Sequence, residues 1–312
     1  MRFSTIITET ANGKSIVLKD EAGASAEVYS FGALLNAFSI PVNGENKNVV
    51  DGFASTEEAK QEITNGFKSA KLAPFVCRLN HGQYSFNEKK YTIEKFFLPP
   101  HAIHGIIYDG VYEVLTTHAD EQYASVGLRY KYEGSDAGYP FSFEMLVNWK
   151  LEAGNRLTVK STVFHHNAFA IPFADGWHPY FKLGESIDNA TLQFKSDTQV
   201  EFDETLLPTG KTIKDARFEK GALLKDIFLD NCFVLQQAGE DACVLQDEHI
   251  RLSIQPDASY PYLQVYTPPH RKSIAIENLS ATPDAFNNKM GLLLIEPNKQ
   301  VSFTTSYVLA AL

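Results

Sequence analysis

This chain predicts an all-β fold, a large antiparallel β-sandwich, and three features of its sequence carry that expectation. Apolar residues recur with a period of two, turn signals separate the apolar runs, and a helical period is almost absent. The alternation is clearest in Phe141–Glu152 (FSFEMLVNWKLE), where Phe141, Phe143, Met145, Val147, Trp149 and Leu151 fall on one face. Ser142, Glu144, Asn148, Lys150 and Glu152 fall on the other, with Leu146 the exception, so the segment reads as a half-buried strand. Just upstream Val126, Leu128, Tyr130 and Tyr132 alternate in the same way, and GSDAGYP is the connecting turn. Further strands are expected at Leu157–Phe164, Thr191–Phe194, Ile250–Ile254, Leu263–Tyr266, Ile274–Glu277 and Ser302–Val308. Turns are marked by Asn12-Gly13, Asn43-Gly44, Asp109-Gly110 and Pro268-Pro269. One helix is expected: Ser55-Thr56-Glu57-Glu58 has the capping-box pattern and opens a short polar segment to about Ile63.

No repeat, low-complexity tract or linker divides the 312 residues, so residues 1–312 are expected to form a single domain. Hydrophobic residues make up 44%, enough for a large core and too many for a disordered chain. The formal net charge of -10, without a local cluster of Lys and Arg, argues against a nucleic-acid partner. The N-terminus lacks the apolar stretch of a signal peptide, and no apolar run approaches membrane-spanning length. Cys77, Cys232 and Cys243 form an odd set without metal-ligand spacing, which suits a reducing compartment. The expectation is a cytoplasmic protein that does not contact membrane.

Three distant segments offer groups that exchange protons near neutral pH. Glu277 lies in SIAIE, where Ile274 and Ile276 share one face and the carboxylate shares the other with small residues. The plainer alternative is a solvated strand carboxylate, as most Asp and Glu are exposed. The polar, proline-containing NLSATPDAF that follows at once reads as a rigid turn, the kind of position that carries active residues. His178 lies in GWHPYF, where Gly176 permits an unusual backbone angle and Pro179 holds His178 extended. His178 and Tyr180 then project the same way, an imidazole beside a ring that could pack on a pyranose. The alternative is a buried structural histidine. His104 ends HAIHG; its spacing from His101 would suit a metal only on a helix, which Pro99-Pro100 disfavours. His165-His166 point to opposite faces of a strand. Arg78 and Asp230 are charges in apolar stretches, each needing an ion partner or a ligand's hydroxyls.

In order and content these segments resemble the aldose 1-epimerase family, the galactose mutarotases. The Arg78 segment followed by HGQYSFNEKKYTI, then HAIHG, GWHPYF, LLPTG, FLDNCFVL, and LQVYTP with IAIENLSATPDAFN carry the resemblance, from about residue 70 to the C-terminus. It implies a β-supersandwich and the interconversion of α and β anomers of a free aldose such as galactose or glucose, without metal or cofactor. It also implies Glu277 as general base, His178 as general acid, and His104, Arg78 and Asp230 as residues that hold the sugar. The sequence departs from the family at Cys77, where Asn is usual, and at Asn231-Cys232 in place of His-Asn. Gly176-Trp177 stands for Thr-Asn, and Lys182 follows HPYF where Asn is common. These changes are expected in the binding shell and bear on substrate identity more than on reaction type. The expected partner is a small-molecule sugar, with the chain a monomer or homodimer. Two other readings are a hexose-6-phosphate epimerase, which would need a cluster of Arg or Lys at the pocket mouth with Arg78, Arg271 and Lys182 as the candidates, and a non-catalytic carbohydrate-binding β-sandwich, needing no base.

Overall fold

The structure is a computed structural model that describes residues 1–236, 238–240 and 242–312. Two large antiparallel sheets form its body. In the first, nine strands lie in the order Glu113–Ala119, Tyr123–Tyr132, Phe143–Glu152, Arg156–Phe164, Gln300–Ala311, Ile250–Pro256, Cys243–Gln246, Thr191–Phe194, Ala222–Leu223. The second runs Pro208–Lys214, Thr198–Phe202, Asp230–Val234, Tyr262–Tyr266, Ile274–Leu279, Gly176–His178, Ala70–Leu72, with Tyr180–Phe181 also paired to Ile274–Leu279.

The period of two explains how they meet. In Phe143–Glu152 alternate residues are buried, and the exceptional Leu146 lies on the outer, half-exposed face. The inner faces interdigitate: Trp149 meets Trp177 at 5.5 Å between ring centroids, Phe181 meets Tyr307 at 5.5 Å, and Phe194 meets Phe233 at 4.7 Å. One continuous core results, containing Val126, Met145, Val159 and Leu252 from one sheet and Leu263, Val265, Ile274 and Ile276 from the other. A fully buried branched or aromatic side chain contributes about 1.5–3 kcal/mol, which makes this core the main source of stability. The expected all-β sandwich is the observed architecture.

Residues before about 50 form a five-stranded meander, Phe3–Thr10, Gly13–Asp20, Ser25–Tyr29, Leu35–Val42 and Glu45–Asn48, in sequence order. The Asn12-Gly13 and Asn43-Gly44 signals fall at two of its hairpin turns, where Gly13 has φ 118° and Asn43 and Gly44 have φ 52° and 83°. The helix spans Thr56–Glu62; Ser55 Oγ accepts from Glu58 N at 3.2 Å, and Glu58 reaches back to the amide of Ala54 rather than that of Ser55. NLSATPDAF is not wholly a turn, since Asn278 and Leu279 complete the Ile274–Leu279 strand and a short helix, Ala285–Asn288, closes the segment.

Candidate active site

Register decides which side chains meet. Gly176 pairs with Leu279 and Tyr180 with Ala275, which sets His178 opposite Glu277 across the strand pair. Glu277 pairs in turn with Gln264, and Gln264 with Cys232. Residues opposite one another share a face, so Cys232, Gln264, Glu277 and His178 form one row across the sheet. The next row on that face contains Asp230, Tyr266, Ala275 and Tyr180; the methyl group of Ala275 keeps its centre low. Gly176 permits the tight strand approach, since a Cβ there would lie 2.6 Å from Leu279 Cδ2. On the opposite face Trp177 packs against Trp149, and Lys71, its strand partner, is fully buried against Asp175.

The other wall comes from a small three-stranded sheet in which His101–Ile103 pairs with Arg78–Leu79, Ile103 opposite Arg78. His104 N donates to Cys77 O at 2.9 Å, fixing these two residues side by side. Both have left-handed backbone, Cys77 at φ 47° and His104 at φ 63°. That conformation is costly for residues with a Cβ and collects at functional sites.

Between the two walls lies a cavity of about 350 Å3 lined by Glu277, His178, His104, Arg78 and Asp230, together with Cys77, Gln264, Tyr266 and Tyr180. Phe67, Phe96, Leu98 and Ile103 supply its apolar side. His178 Nε2 lies 3.4 Å from Glu277 Oε1, and Cys77 Sγ lies 3.8 Å from Glu277 Oε2. Gln264 Nε2 donates to Asp230 Oδ1 at 2.8 Å, while Arg78 approaches Asp230 Oδ2 at 3.8 Å, too long for a tight pair. The rings of His104 and His178 meet edge to face at 4.7 Å, and Tyr180 stacks on His178 at 5.0 Å. One face of Tyr180 is therefore taken by His178.

Burial governs the charges. Glu277 is 1% exposed, so the solvated-carboxylate alternative fails. Desolvation, then the nearby Asp230 carboxylate, push its carboxyl well above the usual range, and Cys77 and Arg78 offset this in part. His178, 4% exposed, is pushed down by desolvation to about 4. A nearby carboxylate would favour the protonated form of His178. Desolvation opposes that attraction and shifts both groups toward their neutral forms, Glu277 upward and His178 down to about 4. His104 is held well below its usual value by burial and then by His178 and Arg78. Burial also raises Asp230, against the pull of Arg78 and Gln264.

All five residues singled out in the sequence face this one cavity. Of the departures from the family pattern only Cys77 does so. Trp177 points into the core, Cys232 is fully buried beyond the lining, and Asn231 accepts from the Asp230 amide. Lys182 does not line the cavity either, so the binding-shell expectation holds for Cys77 alone. The LLPTG segment leads into the exposed edge strand Pro208–Lys214, away from the cavity. His101 Nδ1 accepts from the His81 amide, and His165 Nε2 lies 2.7 Å from Ile295 O. Gln264 and Tyr266 were missed; Tyr262, Gln264 and Tyr266 alternate with Leu263 and Val265, and a glutamine in that pattern was the available signal. Asn65 and Phe67 carry no such signal, since only the turn after the helix brings them to the rim.

A buried carboxyl–imidazole pair thus lies in an enclosed cavity on one face of a large antiparallel sandwich. The family model for aldose 1-epimerase matches residues 14–308. The chain is 27% identical over 261 residues to the human galactose mutarotase, covering 77% of this chain and 71% of that protein. It is 24% identical over 215 residues to the aldose 1-epimerase of Streptococcus thermophilus, covering 66% of this chain and 59% of the relative. The crystal structure of a galactose mutarotase-like protein from Clostridium acetobutylicum superposes with a TM-score of 0.88 at 17% identity, over 100% of this chain and 99% of that one. The chain belongs to the aldose 1-epimerase family, and it is an isomerase that acts on carbohydrates. Among the described residues no helix is long and apolar enough to cross a membrane.

Proposed function

We propose that this protein interconverts the α and β anomers of a free aldose of the galactose or glucose type, with Glu277 as base and His178 as acid. The observation that carries the reading is the 3.4 Å approach of His178 Nε2 to Glu277 Oε1 inside a sugar-sized cavity. The pair holds one proton in the free protein. Moving it from Glu277 to His178 gives a carboxylate base and an imidazolium acid with no change in net charge. Sugar hydroxyls entering the cavity supply hydrogen bonds that favour the charged form.

Glu277 then takes the proton of the anomeric hydroxyl while His178 gives its proton to the ring oxygen. The C1–O5 bond breaks and an open-chain aldehyde forms. Rotation about C1–C2 presents the other face of the carbonyl, and closure returns both protons. Arg78, Asp230 and Gln264 offer donors and acceptors for ring hydroxyls, and neutral His104 can do either. Phe67, Phe96 and Ile103 are apolar surface for the C–H face of the ring.

The sugar-phosphate alternative finds little support in the lining. Arg78 is the one Arg or Lys among the lining residues, and it already faces Asp230. Arg271 is held by Asp188 and by the Ile227 and Leu224 carbonyls. A non-catalytic binding module has no use for a buried acid–base pair, which costs free energy to bury. Polarimetry on freshly dissolved α-galactose and α-glucose, beside their 6-phosphates, tests the reading: acceleration of the free sugars is expected, and acceleration of none would leave a binding module.

A further inference from the structure

We infer that Cys77, His104 and Glu277 form a binding site for a borderline-soft divalent cation, Zn2+ first among them, and that the ion enters this cavity as an inhibitor. Cys77 Sγ, a ring nitrogen of His104 and a carboxylate oxygen of Glu277 all lie within 4.8 Å of one another. Zinc bonds of about 2.3 Å to sulfur and about 2.0 Å to nitrogen or oxygen place the ligand atoms of a tetrahedral site with one sulfur about 3.3–3.5 Å apart. Side-chain adjustments of about 1 Å therefore close the set.

The backbone already holds two of the ligands together, through the 2.9 Å bond from His104 N to Cys77 O. The third comes from the facing strand, Ile274–Leu279. A second observation points the same way. His104 is 7% exposed and its Nδ1 has no hydrogen-bond partner among the described residues, an unusual condition for a buried ring nitrogen. Phe67 at 4.6 Å and His178 at 4.7 Å pack against the ring and limit its swing.

The donor set selects the ion. Thiolate and imidazole suit Zn2+ and its softer neighbours, whereas Mg2+ and Ca2+ require oxygen ligands. Three protein ligands leave the fourth position facing the cavity, open to water or a sugar hydroxyl. Binding sends the thiol proton of Cys77 to the buffer, moves the proton of Glu277 to His178 or to the buffer, and ties up Glu277 as a carboxylate ligand. The inhibition rests on the proposed role of Glu277 as base; the metal site itself does not.

The test is a titration of the metal-free full-length protein with Co2+, a spectroscopic stand-in for Zn2+. One equivalent should produce a thiolate-to-cobalt charge-transfer band that Zn2+ abolishes. Cys77→Ser should lose the band and weaken Zn2+ binding by about 100-fold or more, beyond the range seen for outer-shell partners, while Cys243→Ser keeps both. If Cys77→Ser does not fold, as judged by circular dichroism, His104→Gln serves instead, with the same loss of Zn2+ affinity. No thiolate band in the intact protein, or unchanged Zn2+ affinity in these variants, overturns the site. A band without any mutarotation by polarimetry would keep the site and reject the proposed function.

Discussion

At the scale of single residues, chemistry is set by what burial does to Glu277 and His178. Both are driven to their neutral forms, Glu277 well up and His178 down to about 4. The productive single-proton pair therefore spans a wide pH range, and its two limits belong to the pair. We expect kcat/KM to fall on the acid side as His178 takes a second proton near 4, and on the alkaline side as Glu277 loses its own. Asp230→Asn removes the charge that helps raise Glu277, so the alkaline limb should move to lower pH; an unmoved limb would reject that coupling. Glu277→Gln should abolish the rate while sugar binding, measured by calorimetry, survives. His178→Asn should lower kcat by about a hundred- to ten-thousand-fold, the usual worth of a general acid, and near-normal turnover would reject its role. The same burial couples stability to pH. The folded-state pKa of His178 is depressed from 6.5, so its contribution is fully present above 6.5 and fades as pH falls toward about 4. Urea unfolding across that window should weaken on the acid side, and less steeply in His178→Asn.

At the scale of elements, the site depends on a few places where two backbones nearly touch. Gly105 has φ 77°, and a Cβ there would stand 2.2 Å from Ala73 O. Gly105→Ala should cost about 1–3 kcal/mol and, by shifting His104, raise KM for the sugar more than it lowers kcat. Thermal unfolding and initial-rate polarimetry measure the two parts, and a variant as stable as the parent would mean the segment yields freely. Sequence reasoning found the long alternating strands and the capped helix because local pattern specifies them. It did not find the N-terminal strands, whose hairpin turns it marked but whose alternation is broken by exposed apolar residues such as Ile6 and Ile7. Nor did it find the short strands at Gly176–His178 and Tyr180–Phe181, which are too brief to show a period and exist because Ile274–Leu279 pairs with both.

At the scale of the whole molecule, the cavity-lining face of the second sheet is backed by a buried polar cluster. Lys71 Nζ donates to Asp175 Oδ1 and to Gly176 O, Tyr260 donates to the same carboxylate oxygen at 2.6 Å, and Lys71 lies 4.5 Å from the Trp177 ring. Desolvation lowers Lys71 to about 8 in spite of Asp175. The cluster lies directly behind the row containing His178. Lys71→Met leaves Asp175 buried without its cation and should cost about 3–5 kcal/mol, read by denaturant unfolding. The double change Lys71→Met with Asp175→Leu should recover much of that loss, and failure to do so would show that the cluster matters beyond its charge balance.

The sequence by itself determined the sheet-forming pattern, the family, and the identities of Glu277, His178, His104, Arg78 and Asp230, since residue type and local order are enough to mark them. Only the tertiary structure decided that these five face one cavity, because strand register joins positions far apart in the chain. It alone sent Trp177 into the core, buried Cys232 beyond the cavity lining and turned Cys77 into the cavity. The proton affinities of the pair also belong to the tertiary structure: burial in the cavity wall raises that of the Glu277 carboxyl and lowers that of the His178 imidazole from 6.5 to about 4.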